Sequence, residues 1–383
     1  MPRLLIDGTA LSRRNKGVGR YTFHLCLQAV SRLPADWEIV IAVLPQELPR
    51  FPGDFRASFV TLPKASDLLR GLYLLPRLVR KIRPDVLLRT YEGVGYDYGV
   101  PMITVCHDVP ELIRRAARQQ RGLWRWLVDG MKERMSVNAM RKSALVVCNS
   151  VFIRDAVSTW YGIAPTKTAL GYCGVDPRFY DESWAVQPDI VRRKYGVARY
   201  VLTFATGDYR EGFDLLPEIA RELKARNVNT CFLVAGIRTG ASYAEALRRR
   251  FVALGLVEGV DFVFETFLTE DRFSDLASLY TAADFYLELS RHEGFGMQLA
   301  EAMACGTTCI STGAGALAEV AGGYAIEIDV DRVESVVAAI KRGYEQGGHI
   351  RNNLDQMEFT RRFSWDSVGK LVATQIEKLG SPK

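Results

Sequence analysis

Residues 284–306, DFYLELSRHEGFGMQLAEAMACG, decide how this chain folds. An apolar run at 285–289 predicts a strand, and it breaks at Ser290-Arg291-His292. The turn Glu293-Gly294-Phe295-Gly296 follows, and then a helical pattern from Met297 to Cys305 that Gly306 closes. Glu293 lies in the turn and Glu301 inside the helix, roughly 6 Å further along its axis. A helix start offers unpaired N–H groups and a partial positive charge, and Gly294 and Gly296 let a ligand approach the backbone, so the middle of the turn suits a phosphate. Carboxylates repel phosphate but accept hydrogen bonds from hydroxyls, so Glu293 and Glu301 suit a sugar on one side and a ribose on the other. On spacing alone a second reading stays open, in which Glu293 caps the helix and Glu301 is a solvated surface carboxylate.

Outward from this stretch the chain reads as two α/β halves. Strands are expected at 3–7, 38–44, 86–88, 102–106 and 144–148, with helices at 19–33 and 67–82. The second half repeats the alternation with strands at 200–205, 230–235, 261–264, 285–289 and 308–310. This order predicts parallel sheets with helices on both faces. Periodicity is lost between Gly174 and Val197, which marks a domain boundary, and 365–379 reads as a final helix. The expected domains are 1–180 and 190–364.

Several residues outside the opening stretch carry chemistry. Gly17-Val18-Gly19-Arg20 opens a helix after a long loop and suits close approach of backbone to phosphate or acceptor. As a dinucleotide fingerprint it fails, because Thr22 stands where the third glycine belongs; the stretch after Gly294 fails in the same way, which argues against a nicotinamide enzyme. His107 and Asp108 end a strand of the first half, where an active-site residue of an open α/β sheet sits; a lone histidine there is more often structural than catalytic, and Asp108 either orients its ring or caps a turn. Arg210, after the first strand of the second half, is placed either to clamp a pyrophosphate or to lie solvated on a loop.

These motifs together resemble the retaining GT-B glycosyltransferases of family 4. The stretch EGFGMQLAEAMACG (293–306) is similar to the donor-binding signature of that family, and LIDGTALSRRNKGVGRYTFHL (5–25) to its N-terminal glycine loop. TVCHDVPEL (104–112) resembles its His-Asp segment, GVDPRF (174–179) its interdomain junction and FSWDSVGKLV (363–372) its closing helix. The resemblance implies two Rossmann-like parallel-sheet domains facing a central cleft, with 365–383 packing back on the first. It also implies that His107 faces the donor sugar to position it, that Glu293 serves the transferred sugar, and that Arg210 stabilises the departing diphosphate. Gly17, Gly19, Gly294, Phe295, Gly296, Met297 and Glu301 are then the donor-binding set. One departure stands out: Glu211 occupies a place where relatives carry a second basic residue, and Arg238 is the candidate substitute.

Composition places the chain among soluble globular proteins, with no low-complexity tract, no run of 18 apolar residues and no signal-peptide pattern; a cytoplasmic location is the expectation. Seven cysteines without a C-x2-C pair read as reduced core residues, and four histidines without clustered ligands argue against a zinc site. Between Pro110 and Ser143, nine basic residues face three acidic ones, giving +6 locally, equal to the net charge of the whole chain. Trp124 and Trp126 are interleaved with Arg114, Arg118, Arg121 and Arg125, a combination suited to an anionic membrane surface along 114–142; a solvated helix with its tryptophans in the core is the alternative. No nucleic-acid motif accompanies the charge.

The expected activity is therefore metal-independent, cofactor-free transfer of a sugar from a nucleoside diphosphate sugar to a saccharide or lipid-linked saccharide acceptor. Retention of configuration is expected, mannose from GDP-mannose is the favoured donor, and bacterial cell-surface polysaccharide or glycolipid assembly the favoured setting. The Asp329-Val330-Asp331 element reads as part of a capping box, Asp331 with Glu334, and not as a metal motif. A GT-B-like epimerase or phosphorylase, and a catalytically weak partner subunit that keeps the fold, stay open as alternatives.

Overall fold

Apolar runs rich in valine, isoleucine and leucine become the strands of two separate parallel sheets. The structure is a computed structural model describing residues 1–13, 17–109, 123–181, 183, 185–238, 240–266, 273–347 and 354–381. The first sheet holds β1 (Arg3–Asp7), β2 (Glu38–Val43), β3 (Ser58–Thr61), β4 (Val86–Arg89), β5 (Met102–Cys106), β6 (Leu145–Cys148) and β7 (Thr168–Leu170), in the order β3-β2-β1-β4-β5-β6-β7. The second holds β8 (Tyr200–Phe204), β9 (Cys231–Ile237), β10 (Phe262–Thr266), β11 (Phe285–Glu288), β12 (Cys309–Ser311) and β13 (Ile326–Glu327), in the order β10-β9-β8-β11-β12-β13. Every residue of β4, β5, β6 and β11 is buried, as strands covered by helices on both faces must be. In each sheet the strand order reverses once, between β1 and β4 and between β8 and β11, and ligands of such sheets bind outside the carboxyl ends of those strands.

The chain divides into two compact units, Met1–Gly174 with Phe363–Lys383, and Val175–Arg362. The final helix, Trp365–Gly380, lies on the helix Gly17–Arg32. Trp365 stacks on His24 with ring centroids 4.5 Å apart, Asp366 pairs with Arg32, and Gly369 sits where a Cβ would come within 2.4 Å of Gln28. Burial of Val368, Val372 and Ile376 adds about 1.5–3 kcal/mol each to that contact.

Three strands without a sequence signal, β3, β7 and β13, are short and half-exposed and lie at or next to sheet edges, where alternation is weakest. The helix expected over 67–82 is broken into a turn Asp67–Leu69, a π-helical turn Arg70–Leu74 and a helix Leu75–Ile82. Gly71 packs so close to the Val94 carbonyl that a Cβ would lie 2.1 Å away, and the Tyr98 hydroxyl donates to the Gly71 carbonyl at 2.9 Å. The capping box at Asp331 and Glu334 does not form: the helix Val333–Glu345 has Arg332 at its N-cap with no side-chain cap. The Asp329 carboxylate instead accepts from the Asp331 N–H at 3.1 Å, and the Asp329 N–H donates to Ser335 Oγ, closing a local turn. All seven cysteines are free thiols. Among the described residues no helix is long and apolar enough to cross a membrane.

Candidate functional site

In the second unit, two loops leave the carboxyl ends of β8 and β11 and are built as one piece. Gly212 has φ 66° and packs so closely on the exit of β11 that a Cβ would lie 2.2 Å from the Leu289 carbonyl oxygen. The Arg291 N–H donates to the Arg210 carbonyl at 2.7 Å. Its guanidinium grips both Asp214 oxygens at 2.8 and 3.1 Å, donates to the Tyr209 carbonyl at 3.1 Å and covers the Tyr209 ring at 4.6 Å. Arg210 is thereby fixed beside the glutamate loop. Asp208 caps its turn by accepting from the Arg210 N–H, and pairs with its guanidinium at 3.1 Å.

The glutamate loop is held by backbone. Glu293 bridges to Gly315, its carbonyl accepts from the Ala316 N–H at 2.9 Å, and Gly315 at φ 67° sits where a Cβ would meet that carbonyl at 2.4 Å. Gly294, Phe295 and Gly296 are buried, and Gly296, at φ 97°, is the N-cap of the helix Met297–Ala304. Glu293 is thus three residues before the N-cap position, and its carboxylate lies 3.2 Å from Ser290 Oγ. Glu301 is only 1% exposed, which removes the reading of a solvated surface carboxylate; the Tyr280 hydroxyl donates to it at 3.2 Å.

Glu211 turns back into its own loop. Its carboxylate accepts from the Thr206 N–H at 2.7 Å and from the Thr206 hydroxyl, and burial raises its pKa, against those hydrogen bonds. The carboxylate thus holds its own loop together. The Arg238 side chain is exposed after β9, and its backbone N–H donates to the Tyr243 hydroxyl at 3.1 Å.

In the first unit, Gly17 and Gly19 lie in the first turn of the helix Gly17–Arg32, and His107 follows β5. The helix opens at Gly17, and one turn on, Tyr21 presents its ring edge to His107 at 4.8 Å. His107, 6% exposed at the end of β5, has its Nε2 2.9 Å from the Thr90 carbonyl. Burial lowers its pKa to about 4, so near neutral pH the ring is uncharged: Nε2–H donates to Thr90 and Nδ1 keeps its lone pair. The Asp108 carboxylate accepts from the Val109 N–H at 2.8 Å and so holds the turn after β5. Glu92 accepts from the His107 backbone N–H at 2.9 Å, and burial raises its pKa to about 7.

Two family models match the chain: Glycosyltransferase Family 4 over residues 15–179 and Glycosyl transferases group 1 over residues 198–346. The chain is a GT-B glycosyltransferase of family 4. It is 22% identical over 321 residues to the serotype-specific mannosyltransferase WbdA of Escherichia coli, covering 79% of this chain and 38% of that protein. It is 23% identical over 231 residues to the GDP-mannose:cellobiosyl-diphosphopolyprenol alpha-mannosyltransferase of Xanthomonas campestris, covering 58% and 56%. The chain spans about half the length of the curated relatives it matches. Among solved structures it is similar to Anabaena Alr3699/HepE, crystallised with UDP and glucose, at TM-score 0.73 and 17% identity over 99% of this chain and all of that one.

Four residues of this glycosyltransferase escape sequence reasoning. Arg291 and Asp214 tie the two loops of the second unit, Glu92 supports His107, and Glu288 ends β11 buried, accepting from Tyr286 Oη at 2.8 Å and Ser290 Oγ at 2.7 Å. A glutamate inside the apolar run FYLEL was the one available signal. Of the basic segment, residues 110–122 with Arg114, Arg115, Arg118 and Arg121 lie outside the described residues, as do the side chains of Trp124 and Arg125.

Proposed function

We propose that this chain transfers a hexose, with mannose from GDP-mannose favoured, from a nucleoside diphosphate sugar to an acceptor hydroxyl with retention of configuration. The observation that supports the reading is the joining of the Arg210 loop to the glutamate loop at the β8/β11 reversal, next in sequence to a glycine-rich helix start. Arg210 and the N–H groups of that helix start take the diphosphate and stabilise its charge as it leaves, so no metal is required of the protein. Glu301 accepts from a ribose hydroxyl on exchanging its Tyr280 contact, and Glu293 accepts from the transferred sugar. His107 offers a neutral Nδ1 acceptor to a sugar hydroxyl and is not a base, since its pKa of about 4 lies too low to hold a proton at neutral pH.

The mannose assignment is supported by the names of the relatives, which act in mannosyl transfer. The names of the same relatives and the basic charge of the first unit support a role in bacterial polysaccharide or glycolipid assembly, with a saccharide or lipid-linked acceptor presented at an anionic membrane. The direct test is a panel of nucleotide-sugars screened for thermal stabilisation, followed by product analysis with and without a saccharide acceptor. GDP-mannose should raise the unfolding temperature most, and glycoside should form only with acceptor present. Stabilisation by no nucleotide-sugar sinks the reading, and an altered sugar formed without acceptor assigns an epimerase.

A further inference from the structure

A second basic segment precedes β4, and its side chains are in view. Residues 64–83, KASDLLRGLYLLPRLVRKIR, carry six basic residues against the single Asp67. The buried side of this segment packs on the sheet through Leu75, Leu78 and Val79. The outer side holds Leu69, Leu72 and Tyr73, which are 49%, 42% and 49% exposed, and then Arg77, Arg80, Lys81 and Arg83, all exposed. An apolar end thus runs into a basic end along one face of about four turns.

The π-helical turn makes this face. It adds one residue to the turn Arg70–Leu74, so that Leu72 and Tyr73 both point outward while Leu75 still reaches the core. Arg70 is drawn off the face to Asp67, and Arg77 lies over the Tyr73 ring at 4.7 Å, keeping its charge at the apolar end. Leu127 and Met131 of the helix Leu123–Lys142 are also exposed, at 50% and 48%. That helix covers the same face of the sheet, because Met102 beneath the first segment and Cys106 beneath the second point to one side of β5.

We propose that residues 64–83 form a docking surface for an anionic lipid bilayer, with Leu69, Leu72 and Tyr73 entering the interface and Arg77, Arg80, Lys81 and Arg83 meeting lipid headgroups. The assignment rests on the membrane-presented acceptor proposed above for its purpose. Its occupant is set by the two chemistries side by side: exposed leucines and a tyrosine want a hydrocarbon boundary, and four exposed cations without an exposed anion among them want a surface of negative charge. An acidic protein groove would satisfy the charge and leave the leucines wet.

Flotation with vesicles of phosphatidylcholine, alone and mixed with phosphatidylglycerol, tests the surface on the full chain. The unaltered protein should float with the anionic vesicles, less so as salt rises, and not with neutral ones. Replacing Arg77, Arg80 and Lys81 by Glu should weaken the partition by roughly a hundredfold. Replacing Leu69, Leu72 and Tyr73 by Ser should weaken it by about tenfold with every charge kept. Lys341, Lys370 and Lys378 replaced by Glu make the same change in net charge elsewhere on exposed surface and should leave flotation unchanged. Equal loss in that control, flotation that ignores lipid charge, or retention by either segment variant overturns the proposal. Nucleotide-sugar stabilisation measured on the same variants keeps the two readings apart. If flotation follows the segment while no nucleotide-sugar binds, the transferase reading fails and the surface stands; donor binding without segment-dependent flotation keeps the transferase and removes the surface.

Discussion

Each of the two units holds its own candidate residues, and they do so in different ways. In the second unit the loops after β8 and β11 are shaped by backbone: Gly212, Gly296 and Gly315 all have positive φ and no room for a Cβ. In the first unit the surroundings of His107 come from distant segments, with the Thr90 carbonyl and the Glu92 carboxylate after β4 and the Tyr21 ring on the first helix. A backbone-built site must spell its turns in consecutive residues. A pocket assembled from strand ends need not leave any local pattern, and it tunes its groups by burial instead.

The largest expected effect probes the backbone-built half. Gly212→Ala adds a Cβ 2.2 Å from the Leu289 carbonyl at a φ of 66°, and should cost about 3–5 kcal/mol, since both the strain and the clash fall on rigid backbone. Gly196→Ala is the matched comparison, with φ 69° and open space around the added carbon, and should cost about 1 kcal/mol. Denaturant unfolding of the two variants reads the difference directly. Equal costs would mean that the approach of Gly212 to β11 does not hold the loops together.

Next in size is Arg210→Ala, expected to lower turnover by about a hundredfold or more, the scale for loss of one preorganised charge facing a developing anion. Initial rates at saturating donor decide it, and near-normal turnover removes Arg210 from the diphosphate. Glu211→Lys then tests the second cation that the resemblance to family 4 implies at this position. The Thr206 N–H and hydroxyl would lose their acceptor, so the variant should lose about 1–3 kcal/mol of stability and gain no donor affinity. Tighter nucleotide binding by this variant would show that Glu211 had only displaced a ligand cation.

The same contrast explains what the sequence reveals. The strand-turn-helix of 285–305 is legible because a buried strand, a glycine turn and a helix follow one another without a gap, and the resemblance to family 4 rests on that stretch most firmly. Glu92 was not legible, because nothing in RTYEGVG shows that its carboxylate will meet a backbone N–H from a different strand. Arg291 read as a loop residue for the same reason, since its partner Asp214 lies 77 residues away. The π-helical turn at Arg70–Leu74 escaped because its cause, the approach of Gly71 to Val94, is tertiary. Charge counted over 110–143 summed to the net charge of the chain and so hid the second basic segment, whose excess other parts of the chain offset.

The smallest effect concerns the side-chain-built half and is a matter of pH. Glu92 is held near 7 in the fold against an ordinary value of 4.5, so the native state keeps its proton more tightly than the unfolded chain, and stability falls as pH rises across that window. His107, held near 4 against 6.5, does the opposite: the unfolded chain takes the proton first, and stability falls as pH drops from 6.5 to 4. Between about 4.5 and 6.5 the two slopes oppose each other, so the wild-type profile should be shallow there. Glu92→Gln keeps an oxygen to accept from the His107 N–H and removes one of the slopes. The variant should gain about 1 kcal/mol over wild type at pH 8, a fraction of the full shift because the residue is only partly buried and the hydrogen bond is kept. That gain should vanish at pH 4.5, and the acid decline set by His107 should stand out below pH 6.5. Urea midpoints of both proteins at pH 4.5, 6 and 8 give the comparison. A difference of the same size at all three pH values would show that Glu92 does not titrate in this window, and that the pocket around His107 is fixed by packing alone.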